Sequence, residues 1–102
     1  MIAMLRGPGF RQFCGINGRP DLAKRIRAIK IDVEGTEAEV VAGMRETLLL
    51  CPGAVILCET SAGSAADALL TAWGYRASLL DRRRGEFGNF LYERQPSPAA
   101  ER

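Results

Sequence analysis

The chain has 102 residues, of which 47% are hydrophobic, and its 14 basic and 12 acidic residues give a formal net charge of +2. A chain of this length forms one domain with a modest core, and so balanced a charge argues against nucleic acid or an anionic membrane as a partner. No apolar run approaches the roughly 20 residues that cross a bilayer, and residues 1–5 are too few for a signal peptide. These features predict a cytoplasmic protein.

Residues 1–19 are predicted to be an irregular N-terminal segment, because glycine is frequent in them. A short strand at 1–5 or at 10–14 is the exception that the sequence allows. A short helix is expected after Pro20, where apolar and basic side chains alternate between two faces.

A buried, β-branched strand is predicted over 28–33, and Gly35 permits a tight exit from it. A helix over 36–50 follows, because its apolar residues recur at helical spacing. The short apolar run 54–58 is typical of a fully buried parallel strand. Strand, crossover helix and parallel strand is the simplest arrangement of these three segments.

The rest of the chain predicts one more helix and two more strands. The helix spans about 65–73, and Gly74 is a natural residue to end it. The strands, about 75–80 and 89–93, flank the charged segment 81–88.

Three carboxylates carry the main functional hypothesis. If the two central strands are parallel neighbours, Asp32, Glu34 and Glu59 lie near one carboxyl edge, where open α/β sheets bind ligands. They could bind a divalent cation such as magnesium, or act as a base toward a substrate hydroxyl. The structural alternative is that Asp32 or Glu34 caps the next helix or pairs with Lys30.

Other candidate residues have simpler interpretations. The sequence has no histidine, and the three cysteines lack the spacing of zinc ligands, so reduced thiols are expected, with Cys58 in the core. Glu37 and Glu39 are expected to stabilise the first turn of a helix. One basic run forms either a solvated hairpin face or a clamp on an acidic or phosphorylated substrate. Its members are Arg82, Arg83 and Arg84.

The order of these features resembles the FkbM family of S-adenosylmethionine-dependent methyltransferases. Members of that family carry a K-I-D-V-E-G-x-E stretch, followed by a helix, a proline and a strand that ends in Glu. The matching residues here are Lys30 to Gly35 and Glu37, followed by Pro52 and Glu59. The resemblance covers residues 20–94 as the C-terminal half of such an enzyme, between the irregular segment 1–19 and a disordered tail at 95–102.

The resemblance implies an α/β fold, namely part of a Rossmann-like class I methyltransferase with three layers and a mixed sheet of about four strands. The implied reaction is transfer of a methyl group from S-adenosylmethionine to a hydroxyl of a small molecule or glycan. In that interpretation Asp32 and Glu34 are catalytic, Glu59 joins them as a metal ligand for Mg²⁺, and the arginine run lies near the acceptor.

The part of the family that binds the cofactor is not recognisable in the sequence. The acidic residue and the third glycine expected around the first strand are replaced by Leu5 and Arg11, and a dinucleotide-type glycine loop fails at Gln12. We therefore expect a truncated enzyme in which the strand at 28–33 has an uncovered edge.

We expect this edge to be covered in one of two ways. Either residues 1–14 fold back over it, or another chain pairs with it, by self-association with a second copy or as a separate N-terminal half. A non-catalytic α/β interaction module, which pairs through an exposed sheet edge, is the alternative to an enzyme. A metal-dependent hydrolase that uses the same acidic edge is a further alternative.

Overall fold

A computed structural model describes residues 2–6, 20–33 and 35–95. Over these ranges the strands are β1 (Ile2–Arg6), β2 (Ala28–Asp32), β3 (Val55–Ser61), β4 (Tyr75–Arg84) and β5 (Phe87–Arg94). The helices are α1 (Pro20–Ala23), α2 (Glu37–Gly43), α3 (Arg45–Leu50) and α4 (Ala65–Ala72). None of these helices is both long and apolar enough to cross a membrane.

The strands form one mixed sheet in the order β1-β2-β3-β5-β4. β1, β2 and β3 are parallel neighbours, whereas β5 is antiparallel to both β3 and β4. The predicted α/β class and mixed sheet are thus confirmed. The described sheet has five strands rather than about four, because the start of the chain adds β1.

β1 covers the edge of β2 that was predicted from the sequence to lack a partner strand. The two strands pair in register from Ile2 opposite Ala28 to Arg6 opposite Asp32. Of the two expected solutions, the structure shows the fold-back of the N-terminal residues. The other candidate strand, at 10–14, falls in the part of the chain that the structure does not describe, and so does Cys14.

The core lies on one face of the sheet, because side chains alternate between the faces along each strand. Cross-strand neighbours such as Ile29 and Ile56, or Cys58 and Phe90, are buried on this face. The helices cover it with a further set of buried residues, namely Ala23, Val40, Val41, Met44, Leu48, Ala66 and Leu70. The described helices therefore make two layers with the sheet, not the three that were expected, and no described helix lies on the opposite face, which we call the open face.

The helix predicted over 36–50 is two helices that meet at Met44. α2 ends at Gly43, and the Met44 N–H bonds to the Val41 carbonyl at 3.0 Å, which closes a tighter turn. The chain then continues as α3. Glycine disfavours a helix interior, while the fully buried Met44 side chain anchors the bend in the core. Periodicity alone did not reveal this break, because the apolar spacing continues through it.

The last two strands are longer than predicted and form a hairpin through the charged segment 81–88. β4 runs to Arg84 and β5 begins at Phe87, and Gly85, with φ of 53°, starts the turn between them. β3 also extends past the predicted end, to Ser61, where it pairs with Phe87. Charged residues are tolerated in these strand ends because most of their side chains face solvent.

A hydrogen-bond network joins the start of α4 to β5. Ser64 Oγ accepts from the Asp67 N–H at 3.1 Å and caps the helix, and Asp67 Oδ2 accepts from the Gly63 N–H at 2.9 Å. The buried Tyr92 hydroxyl donates to Asp67 Oδ1 at 2.8 Å. Burial and this bond raise the pKa of Tyr92, so its hydroxyl remains a donor. The network fixes β5, which lies between β3 and β4, against the helical layer.

Gly88 allows the close approach of β4 and β5 at an irregularity in their pairing. Register shifts occur between Leu79 and Asp81 and between Arg82 and Arg84. A Cβ atom on Gly88 would collide with the Asp81 carbonyl oxygen and would lie 2.7 Å from Leu79 Cδ1. Any side chain at this position would push the two strands apart.

We expect Gly88→Ala to lower the free energy of unfolding by about 1–3 kcal/mol, as other overpacked substitutions do. Urea denaturation followed by circular dichroism measures this change. Gly53→Ala is the matched control, because a Cβ there meets no atom within 4 Å. An equal loss in both variants would contradict the close approach at Gly88.

Candidate functional site

Asp32 and Glu59 lie side by side on the open face of the sheet. The parallel register pairs Ile31 with Cys58, so the next residue of each strand is a carboxylate. Asp32 is exposed and Glu59 is half-buried, whereas Ile31 and Cys58 point into the core. The predicted convergence of these two carboxylates is therefore found, but on the face of the sheet opposite the helices.

Both carboxylates line a surface pocket of about 270 Å³ near the carboxyl end of β2. Two basic residues, Lys30 and Arg83, share its lining. The other residues that line it are Ile31, Leu57, Leu80, Asp81 and Asn89. The pocket thus combines acidic groups that can accept a proton, basic groups that can hold an anion, and a small apolar wall.

The three arginines of the run, Arg82, Arg83 and Arg84, do not all reach the pocket. Arg83 lines the pocket, whereas Arg82 is exposed and is not part of the lining. Arg84 belongs to β4, but the structure does not describe its side chain. Arg83 is therefore the member of the run that the structure brings to Asp32 and Glu59.

Asp81 and Asn89 are pocket residues that the sequence did not single out for a site. They face each other across the hairpin, and the Asn89 amide donates to Asp81 Oδ1 at 2.8 Å. Asn89 also pairs with Glu59 of β3, so it links the hairpin to the carboxylates. The sequence did not predict that Asp81 and Asn89 face each other, because the register of the hairpin depends on its bulges and turn.

Glu37 lies at the entrance to α2 and stabilises the turn before it. Its Oε1 accepts from the Gly35 N–H at 3.3 Å, and Gly35 has φ of 80°, which side-chain-bearing residues rarely adopt. Glu37 and Glu39 both lie in the first turn, as predicted. Glu34, the third carboxylate of the hypothesis, is outside the residues that the structure describes.

Cys58 lies directly behind the pocket, in the core. Burial, followed by the charges of Glu37 and Glu59, raises the pKa of its thiol to about 12 from 9.0. At neutral pH the group is a protonated thiol, and the thiolate is the nucleophilic form. The prediction that Cys58 is a small core residue is confirmed.

Among the described residues, no group of three or more His, Cys, Asp or Glu side chains is arranged to hold a metal ion. The site that the structure describes is therefore the neighbouring carboxylates of Asp32 and Glu59, with Asp81, Arg83 and Lys30 in the same pocket lining. Such a pair can take a proton from a hydroxyl, while the cations bind an anionic group on the same molecule.

Comparisons of the chain with protein-family models, with curated proteins and with solved structures find no match.

Proposed function

We propose that the chain is the acceptor-binding half of an FkbM-type O-methyltransferase, which methylates a hydroxyl of a small molecule or glycan. The observation that carries the proposal is the convergence of Asp32, Glu59 and Arg83 in one pocket. The first two occupy the acidic positions of the motif on which the family resemblance rests. The parallel strands that bear them also suit the Rossmann-like methyltransferase fold that we propose.

In this proposal Asp32 accepts the proton of the acceptor hydroxyl, because it is the exposed carboxylate of the pair. Glu59 lies beside it, and both remain close to solvent, to which the proton can pass. Glu34 shares the catalytic role on the basis of the resemblance alone.

The pocket lining has three carboxylates and two cations, and we infer that the cations bind a negatively charged group of the acceptor. The Arg83 guanidinium can bind a carboxylate or phosphate through two parallel hydrogen bonds, and Lys30 adds a second positive charge. A sugar acid or a sugar phosphate has both an anionic group and neighbouring hydroxyls. We infer that acceptors of this class fit the pocket better than neutral sugars do.

The sequence lacks the motif by which the family binds S-adenosylmethionine. β1 occupies the place of a first strand beside β2, but Leu5 stands where the family has an acidic residue, and Arg11 stands where it has a glycine. We therefore place cofactor binding on a separate N-terminal half, and we assign no step of the reaction to the cofactor.

A non-catalytic interaction module is the second candidate, and β1 is the observation that favours it. β1 has no described strand on its outer side, and its Ile2 and Met4 side chains are 69% and 44% exposed. An apolar edge strand of this kind can pair with a strand of another chain.

We expect glucuronate to shift the backbone amide resonances of Asp32, Glu59 and Asn89 in nitrogen–proton correlation spectra, while methyl glucoside leaves them in place. Arg83→Gln should weaken glucuronate binding about tenfold, because one charge-assisted hydrogen bond is worth about 1.5 kcal/mol. Arg76→Gln, an exposed arginine that does not line the pocket, is the control. Equal responses to the charged and the neutral sugar would contradict the proposed acceptor class.

We expect the isolated chain to bind S-adenosylmethionine weakly or not at all, because the cofactor motif is absent. Titration calorimetry with the purified chain measures this directly. Low-micromolar binding by this chain alone would show that the cofactor site is not lost.

We also expect methyl transfer from labelled cofactor to glucuronate when a separate N-terminal half that binds the cofactor is added. Asp32→Asn should abolish this transfer, because Asp32 is the proposed proton acceptor.

Binding of magnesium is the alternative that we propose for Asp32 and Glu59, whose carboxylate oxygens are ligands of the type that this cation prefers, with Glu34 added on the basis of the resemblance alone. We expect Mg²⁺ at about ten times its dissociation constant to stabilise the fold by about 1.4 kcal/mol, seen as a higher melting temperature. Asp32→Asn should remove this shift, and Glu39→Gln should keep it. An unchanged melting temperature in millimolar Mg²⁺ and Mn²⁺ would contradict the metal site and leave the carboxylates as a base.

A further inference from the structure

The opposite end of the molecule carries a second set of cavities. Three surface cavities of about 710, 540 and 170 Å³ lie where β2, β3 and β4 begin and where β5 ends. Neighbouring cavities share lining residues: Pro52 and Gly53 join the first to the second, and Trp73 and Arg94 join the first to the third. We call these three adjoining cavities the amino-end groove.

The charged residues that line these three cavities, among those described, are all basic, namely Lys24, Arg25, Arg27, Arg45 and Arg94. A fourth cavity, of about 420 Å³, shares Gly74 and Gln95 with the first, and its charged lining residues are Asp67 and Arg76. A chain with a net charge of only +2 thus concentrates much of its positive charge in the amino-end groove, while its paired carboxylates lie at the other end of β2 and β3. A groove lined by one sign of charge attracts ligands of the opposite sign.

Two of the arginines are held in place by aromatic rings. The guanidinium carbon of Arg45 lies 5.6 Å from the ring centroid of Trp73, and that of Arg94 lies 6.0 Å from the ring centroid of Tyr75. A guanidinium over an aromatic ring is attracted by the negative face of the ring, and its five N–H groups include donors for a carboxylate. Both arginines and Trp73 also line the smallest of the three cavities.

An apolar surface adjoins these cations. Leu49 and Leu50, at the end of α3, line the groove and are 60% and 37% exposed. Exposed leucines beside fixed cations suit a ligand that has both anionic and apolar groups.

We propose that the amino-end groove binds an acidic polypeptide segment that carries apolar side chains. The carboxylates of the segment bind Arg45, Arg94, Lys24 and Arg27, and its apolar side chains pack on Leu49 and Leu50. A single-stranded nucleic acid fits less well, because it needs free aromatic faces for base stacking. Here the Trp73 ring lies under Arg45, and the Tyr75 ring is buried under Arg94.

The test uses a fluorescently labelled peptide of alternating glutamate and leucine, together with its counterpart of glutamine and leucine. Fluorescence polarisation measures affinity, and the emission of Trp73, which is the only tryptophan in the chain, reports whether binding occurs in the groove. We expect the glutamate peptide to bind and to change the Trp73 emission, and added salt to weaken it. The glutamine peptide should bind at least about tenfold more weakly, as expected when charge-assisted hydrogen bonds are lost.

Paired substitutions localise the effect. Arg45→Gln combined with Arg94→Gln should weaken binding by about tenfold or more, while Arg83→Gln, which removes a charge at the opposite end, should leave it within about twofold, as for a distant surface charge. Circular dichroism verifies that each variant is folded. Equal weakening by Arg83→Gln, equal binding of the glutamine peptide, or tighter binding of an oligothymidylate than of the glutamate peptide would each overturn the proposal.

Discussion

The parallel register of β2 and β3 is the constraint on which both the core and the candidate site depend. It places Ile29 beside Ile56 in the core and, on the other face, brings Asp32 next to Glu59. Because side chains alternate along a strand, a slip of one residue would move the apolar set to the open face and the carboxylates into the core. The core thus fixes the register, and the register fixes the pair of carboxylates.

The ends of the sheet differ in charge, and the helices are oriented to match. Asp67 and Glu37 lie in the first turns of α4 and α2, near the carboxyl ends of the parallel strands. Arg94 lies beside Ala72, the last residue of α4. Helix amino ends favour negative charge and helix carboxyl ends favour positive charge. The described helices thus carry acidic residues at their amino ends, while Arg94 lies near the carboxyl end of α4.

Sequence patterns were sufficient for the elements whose burial follows a simple period. β2, α4 and the start of β3 lie within a residue or two of their predicted bounds, because β-branched runs and helical spacing mark them. The break at Met44 was missed since the apolar period runs through it. The hairpin ends were missed since Asp81 and Arg83 are polar residues in strands that face solvent.

The sequence predicted part of the candidate site, namely the convergence of the two carboxylates, but not which other residues line the pocket. Adjacent parallel strands bring Asp32 to Glu59, and the sequence contains both strands. Arg83 reaches that pair only through the bulged pairing of β4 with β5, and Asn89 does so through the pairing of β5 with β3. Such contacts join residues far apart in the chain, and local patterns do not encode their register.

The position of β5 also has a consequence for synthesis on the ribosome. β4 joins the sheet only through β5, which lies between β3 and β4 although it is the last strand described. While β5 is still inside the exit tunnel, β3 has an unpaired side and Phe90 and Tyr92 are missing from the core. The nascent chain therefore exposes an unpaired side of β3 until β5 emerges, which is the stage at which a chaperone that holds unpaired strands would act on it.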